Sequence, residues 1–310
     1  MKERKILVAG GSGMVGSSIL RKLKEHGYNN LLLPKRSELD LLDQSSVYHY
    51  LKRNKPDFIF IAAAKVGGIL ANDNFSADFL FENLQIQNNL IHGAHLADIN
   101  NIIFLGSSCV YPRMAPQPIK EEYLLTGPFE KTNEGYAIAK ISGIKLCEHY
   151  KKQYNRNYFS VMPTNLYGLN DNYNLRNSHV LPALIKKIHD AKENEKKEII
   201  IWGSGEPKRE FLYVDDLADA CIHLMKINYT GEIINIGTGK DLTITDLAKK
   251  IISIVGVKVK LKYDNNYPDG TPRKVLDVSK ILGLGWKPKI TLEEGIRLTY
   301  LNTFIKKNEK

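Results

Sequence analysis

Three glycines spaced three apart, Gly10, Gly13 and Gly16, stand directly after the short apolar run at residues 5–9 (KILVA) and open an amphipathic stretch over residues 14–26. A strand that turns at once into a helix needs this spacing. One glycine makes the tight turn, one lets backbone approach a phosphate, and one lets the helix pack closely on the strand. The helix N-terminus then presents unsatisfied N–H groups and positive dipole to a pyrophosphate. Three glycines alone are a common pattern. At the first strand–helix junction of an alternating chain they predict a dinucleotide turn lined by Gly10, Gly11, Ser12, Gly13, Met14, Val15 and Gly16.

The alternation is present. Apolar strands are predicted at residues 31–33, 58–64 (FIFIAAA), 102–105 and 158–162, with long helices over 75–97 and 136–154 between them. A run such as FIFIAAA, apolar on both faces, suits a buried parallel strand. Beyond Pro163 the rhythm changes. Residues 165–177 are rich in Asn, Gly and Tyr and read as a long loop. Strands at 199–202 and 233–236, a capped helix at 245–255 and an amphipathic helix at 292–304 follow. The expected fold is α/β: a Rossmann-type doubly wound parallel sheet with a smaller C-terminal substrate-binding α/β lobe. Residues 1–165 are expected to bind the dinucleotide and 166–310 mainly the substrate, with some later segments returning to the first domain.

Composition excludes other classes. No run approaches the roughly 18 to 20 apolar residues that span a bilayer, and the N-terminus reads as a first strand, not a signal peptide. Cys109, Cys147 and Cys221 form neither a disulfide framework nor a metal-ligand spacing. No metal is expected, and the simplest compartment is cytoplasmic. The net charge of +10 raises nucleic-acid binding. Its basic residues are interleaved with acids, as in KENEKKE at 192–198, and no DNA- or RNA-binding signature accompanies them. A basic surface equally steers small anionic ligands.

After the second strand the chain reads Pro34, Lys35, Arg36, Ser37, and the first acids, Glu38 and Asp40, come later. An acid at the strand end would bind a free ribose hydroxyl; a guanidinium fork accommodates a 2′-phosphate. Arg36 therefore predicts NADP(H), the alternative being a solvated basic turn. Tyr136 and Lys140 (YAIAK) share one helical face. A tyrosine with pKa near 10 becomes a usable acid–base group when a nearby ammonium or an oxidised nicotinamide favours its phenolate. The pair gains meaning from Ser107, placed at a strand end where its hydroxyl can hold the same carbonyl oxygen.

Glycine turn, strand-end serine and Tyr-x-x-x-Lys in that order form the extended short-chain dehydrogenase pattern. The chain resembles, over nearly its whole length, the GDP-L-fucose synthase family. The resemblance is carried by AAAKVGGI (62–69), LGSSCVYP (105–112), YAIAKISGIKLCE (136–148), MPTNLYG (162–168), NSHVLPAL (177–184), WGSG (202–205), REFLYVDD (209–216) and PDGTPRK (268–274). It implies reduction of the C4 ketone of a GDP-4-keto sugar by NADPH, with Cys109 and His179 as base and acid inverting C3 and C5. Ser107 and Tyr136 would hold the oxygen as charge develops, and Tyr136 would donate the final proton. By themselves a cysteine after a strand is more often a small buried hydrophobe, and a histidine before a helix a cap or a packed side chain. The family further implies cofactor contacts at Leu105, Gly106, Lys140, Pro163, Asn165, Leu166 and His179, substrate contacts at Lys187, Trp202, Arg209 and Asp269, and a homodimer through the two long helices.

Four features bear on specificity. Met162 stands where related epimerases carry arginine, and Ser12 where relatives can have an arginine that assists 2′-phosphate binding. Lys187 replaces a familiar arginine and loses its fork. Residues 169–176 (LNDNYNLR) lie in a loop of the kind that touches the sugar. Asp215 and Asp216, before an apolar helix, are expected to be N-terminal caps. Two other readings compete: a reductase acting only at C4 of a related sugar such as a heptose, and a non-enzymatic NADP sensor, against which Ser107, Tyr136 and Lys140 argue.

Overall fold

The computed structural model describes residues 2–175, 177–267 and 269–305. Its first half runs β1 (Ile6–Ala9), α1 (Met14–Glu25), β2 (Leu31–Leu32), α2 (Gln44–Asn54), β3 (Phe58–Ile61), α3 (Ile69–Asn74), α4 (Ser76–Leu96), β4 (Asn101–Leu105), α5 (Glu134–Tyr154) and β5 (Asn157–Pro163). β1 and β3 are buried at every residue, as their two-sided apolar character requires. The second half adds β6 (Asn165–Tyr167), α6 (Val180–Glu193), β7 (Glu198–Trp202), β8 (Lys208–Tyr213), α7 (Val214–Lys226), β9 (Ile233–Ile236), β10 (Asp241–Thr243), α8 (Ile244–Val255), β11 (Lys260–Asp264), β12 (Arg273–Lys274), α9 (Ser279–Gly283) and α10 (Leu292–Tyr300).

One parallel sheet has the order β2-β1-β3-β4-β5-β9, with helices covering its faces. This is the predicted Rossmann-type doubly wound arrangement. Its last strand, β9, comes from far along the chain and packs with α9, while α7 lies against α1. A second hydrophobic core lies among α6, α8, α10 and β8. There β8 pairs antiparallel with β10 and parallel with β6 and β12, while β7 and β11 form a separate parallel pair.

Two local expectations give way to tertiary contacts. Within the loop expected at 165–177, Asn165–Tyr167 forms β6 against Phe211–Tyr213 of β8. Its partner lies some forty residues away in sequence, so local composition carries no sign of it. Asp215 and Asp216 do not cap α7, whose N-cap residue is Tyr213, without a side-chain bond. Asp215 instead accepts from Ser18 Oγ (2.6 Å) and Arg21 (2.5 Å) of α1. Asp216 accepts from the backbone N–H groups of Lys289 (3.1 Å) and Ile290 (2.9 Å). Both acids still sit in the first turn, where the dipole favours them, but their lone pairs join elements together.

The join between the two cores passes through Glu210, which is fully buried. Its carboxylate accepts from the N–H groups of Thr238 (2.5 Å) and Gly239 (2.7 Å), just after β9, and of Leu276 (2.8 Å), just after β12. A buried charge survives only with such satisfaction. Glu210→Ala strips these three donors of their acceptor. Its unfolding free energy, measured in urea, is expected to fall by on the order of 3 kcal/mol.

Candidate active site

The glycine turn leaves no space for side chains where a ligand's backbone cradle is needed. Gly10 has φ +86°, and a Cβ on it would lie 2.6 Å from the Ala63 nitrogen; one on Gly16 would run into the Gly10 carbonyl. Gly13 is the N-cap of α1, makes no side-chain cap bond, and no acid occupies the first turn. Met14 and Val15 therefore open a helix whose N-terminal donors remain for a ligand. Ser12 is exposed beside them, and Gly11 packs near Leu20. After β2, Arg36 is exposed and joins no ion pair among the described residues. The turn fits a dinucleotide pyrophosphate, and Arg36 fits a further phosphate.

Ser107, Tyr136 and Lys140 gather at the end of β4. A Cβ on Gly106 would lie 2.6 Å from Met162 Sδ, and Met162 is itself fully buried, so an arginine there would lack water. Ser107 caps a short 3₁₀ turn (Ser108–Val110) and its Oγ accepts from Cys109 N–H at 3.2 Å. From α5, Lys140 donates to the Leu105 carbonyl at 2.8 Å, and its ammonium lies 5.9 Å from the centre of the Tyr136 ring. Lys140 is 3% exposed, and burial pushes it down to about 7. Tyr136 moves the opposite way. Burial, then the charge of Cys109, raise its pKa above the ordinary value, outweighing the hydrogen bond to Ser107. The predicted pull of an ammonium toward phenolate is overridden, because desolvation dominates both groups. Burial therefore favours the protonated phenol of Tyr136.

Beside this group stands a second one that the sequence only half revealed. Lys274 of β12 donates to Cys109 Sγ at 3.5 Å. Burial raises the Cys109 thiol, but Lys274, Ser107 and Arg209 pull it down, and the balance falls below the ordinary thiol value. His179 is the N-cap residue of α6 and makes no side-chain cap bond. Its imidazole is solvent-accessible yet closely surrounded by protein, and desolvation followed by the Lys274 charge lowers its pKa. Lys274 lies within the motif PDGTPRK, which by itself carries no sign of this contact. Its signal is tertiary: the register Lys274↔Arg209 between β12 and β8 sets both cations toward one place.

Further out, Lys186 and Lys187 separate. Lys186 pairs with Asp190 one turn on, while Lys187 donates to the Ile200 carbonyl at 2.9 Å and lies 4.8 Å from the Trp202 ring centre. Trp202 stacks on Tyr267 with centroids 4.2 Å apart and planes 5° from parallel. Arg209 donates to the Lys208 carbonyl (2.9 Å) and the Asp269 carbonyl (3.5 Å). The Asp269 carboxylate accepts from Ser204 N–H and Oγ, both 2.8 Å, and so shapes the turn after β7. Asn165 donates to the Glu210 carbonyl at 2.7 Å. Pro163 is buried and Leu166 partly so against the large core. Arg176 and Pro268, parts of two noted segments, lie outside the described residues.

A dinucleotide turn, a strand-end serine and a Tyr–Lys pair on one helix define an extended short-chain dehydrogenase. The chain belongs to the NAD dependent epimerase/dehydratase family, whose family model matches residues 6–237, and within it to the GDP-L-fucose synthase family. It is 53% identical over 300 residues to GDP-L-fucose synthase 1 of Arabidopsis thaliana, covering 96% of this chain and 93% of that one. It is 49% identical over 309 residues to the GDP-L-fucose synthase of Escherichia coli K12, covering 97% and 96%. Among solved structures it is similar to the GDP-mannoheptose C4 reductase of Campylobacter jejuni with NADP bound, at 39% identity and TM-score 0.88, covering 97% and 98%. No helix among the described residues is long and apolar enough to cross a membrane.

The depressed lysine links to stability. Lys140 falls from 10.5 to about 7 on folding, so between those values the folded state binds fewer protons than the unfolded one. Stability contributed by this group therefore rises with pH across that window. The difference in unfolding free energy between wild type and Lys140→Met is expected to grow by up to about 1.4 kcal/mol per pH unit between about pH 8 and 10. Urea unfolding at several pH values checks it; a flat difference refutes it.

Proposed function

We propose that this chain uses NADPH to reduce C4 of a GDP-4-keto sugar after inverting C3 and C5, converting GDP-4-keto-6-deoxymannose to GDP-L-fucose. The observation that carries the reading is the pairing of two proton-handling groups at one place. Ser107, Tyr136 and Lys140 serve reduction, and Cys109 with His179 serves inversion. The Cys109 thiol is held below its ordinary pKa and His179 lies in the field of the same Lys274 ammonium, which supports inversion beside reduction.

In this reading the C4 carbonyl oxygen sits between Ser107 Oγ and the Tyr136 hydroxyl. Protons on C3 and C5 are acidic because they flank that ketone. Cys109 removes one, the two hydroxyl donors hold the developing enolate, and His179 returns a proton from the opposite face. When bound, the nicotinamide supplies hydride to C4. Tyr136, kept protonated by burial, then donates its proton to the oxygen. Lys140, fixed to the Leu105 carbonyl, holds the helix turn of Tyr136 against the strand end. Arg36 takes the 2′-phosphate, and the uncapped α1 N-terminus the pyrophosphate. Arg209 faces the diphosphate of the sugar nucleotide, with Lys187, Trp202 and Asp269 shaping the part of the cleft beyond it.

Residues 1–165 chiefly bind the cofactor and 166–310 mainly the substrate, with some later segments returning to the first domain. The enzyme is a cytoplasmic homodimer through α4 and α5, whose outer faces carry exposed Phe81 and Ile138. Nucleic acid and membranes have no part in it.

Two experiments decide the reading. Incubation with GDP-4-keto-6-deoxymannose in deuterated water, without cofactor, is expected to place deuterium at C3 and C5. Competent reduction without exchange would instead establish a C4 reductase, the activity named for the Campylobacter neighbour, and a panel of keto hexoses and heptoses would then find its sugar. Tyr136→Phe is expected to lower NADPH oxidation by roughly 10²- to 10⁴-fold. For the cofactor, Arg36→Ala is expected to raise the KM for NADPH about tenfold while leaving that for NADH nearly unchanged. Equal effects on both would remove Arg36 from the phosphate site.

A further inference from the structure

Three cationic or titratable groups from different elements converge on one sulfur. Cys109 is faced by Lys274 from β12, Arg209 from β8, Tyr136 from α5 and, on its own turn, Ser107. His179 of α6 shares the field of Lys274. Of the two cations, Arg209 already donates to the carbonyls of Lys208 and Asp269. Lys274 forms no salt bridge among the described residues, and its ammonium donates to Cys109 Sγ at 3.5 Å. Lys274 pairs in register with Arg209 of β8, and the two residues that follow it are held by fixed acceptors. Val275 N–H donates to Gln117 Oε1 (2.9 Å) and Leu276 N–H to Glu210 Oε2 (2.8 Å). The ammonium is thus delivered to the sulfur by strand register.

We propose that Lys274 is a catalytic residue of the epimerisation, holding Cys109 as the thiolate that removes the sugar's α-proton. The inference rests on the reading of this site as an epimerase. In the step, a C–H bond beside the ketone breaks and an S–H bond forms. The electron pair delocalises onto the C4 oxygen, held by Ser107 and Tyr136, and His179 reprotonates the carbon on the other face. No electrons leave the sugar, so no oxidant is needed. Lys274 fits the sequence of charges: it pairs with the thiolate before the transfer, and afterwards the negative charge moves to a nearby oxygen within the same cationic pocket. The same ammonium disfavours the histidine cation, which makes that cation, when formed, a sharper acid.

The test needs neither sugar nor nicotinamide. Iodoacetamide modification of Cys109, followed by peptide mass spectrometry across a pH series, compares wild type with Lys274→Met and Lys274→Arg. Cys147 and Cys221 are fully buried, with thiols pushed up to about 12, and stay silent. The wild-type midpoint is expected below the free-cysteine value of about 8.5. Lys274→Met is expected to raise it by about one unit. Its alkylation at pH 7 should be roughly threefold slower, since a tenfold smaller thiolate fraction is partly offset by higher intrinsic reactivity. Lys274→Arg should keep most of both properties. An unchanged midpoint in Lys274→Met, or a wild-type midpoint at or above that of free cysteine, overturns the proposal. The second criterion holds even if the variant does not fold. Deuterium exchange then separates the two claims. Exchange lost in Lys274→Met alongside the shifted thiol supports both. A shifted thiol with no exchange in wild type keeps the ion pair but overturns its catalytic use and the epimerase reading together.

Discussion

A carboxylate with no access to solvent joins the two halves of this molecule. From β8, Glu210 collects backbone donors from the segment after β9, at the edge of the large sheet, and from Leu276 after β12, itself a residue of the large core. Its own carbonyl accepts from Thr164 and Asn165, where the chain leaves β5. Burying a charge is costly unless its lone pairs are filled, so these segments have one arrangement that satisfies it. Arg209 precedes it on β8, and Lys274 lies two residues before one of its donors. The position of the substrate-facing cations therefore follows from how a buried anion is satisfied.

Electrostatics then sorts the reacting groups. Desolvation alone disfavours every charged form, which is why Tyr136 stays protonated and Lys140 falls to about 7. Cys109 escapes the trend because Lys274 and Arg209 outweigh its burial. Within a few ångströms the site thus holds a proton donor and a proton acceptor of opposite tendency. Neighbouring charges, and not the residue types themselves, make the difference.

Much of this was legible in the chain. The glycine turn, the strand-end serine and Tyr136–Lys140 are local or helix-periodic features, and each appears where it was expected. The long helices and the strands of the large sheet are likewise written in periodicity, whereas α2, α3, α9 and the strands β8, β10, β11 and β12 carry no such mark. Legibility failed where a partner is far away in sequence. β6 forms only because β8 lies beside it. Asp215 and Asp216 looked like caps because their position before an apolar helix is the usual cue, yet distant Ser18, Arg21, Lys289 and Ile290 take their oxygens. Lys274 carries no periodic signal at all.

The sequence by itself determined the parallel sheet, the glycine turn and the placing of Ser107, Tyr136 and Lys140 at one strand end, because these depend on spacings within one strand–helix unit. Only the tertiary structure decided the protonation preferences of Tyr136, Lys140 and Cys109, and the presence of Lys274 beside the thiol. Those depend on burial and on charges brought from other strands. A pKa is a property of a place, and the place of Cys109 is assembled from β8, β12 and α5 around a turn that itself supplies only Cys109 and Ser107 to the set.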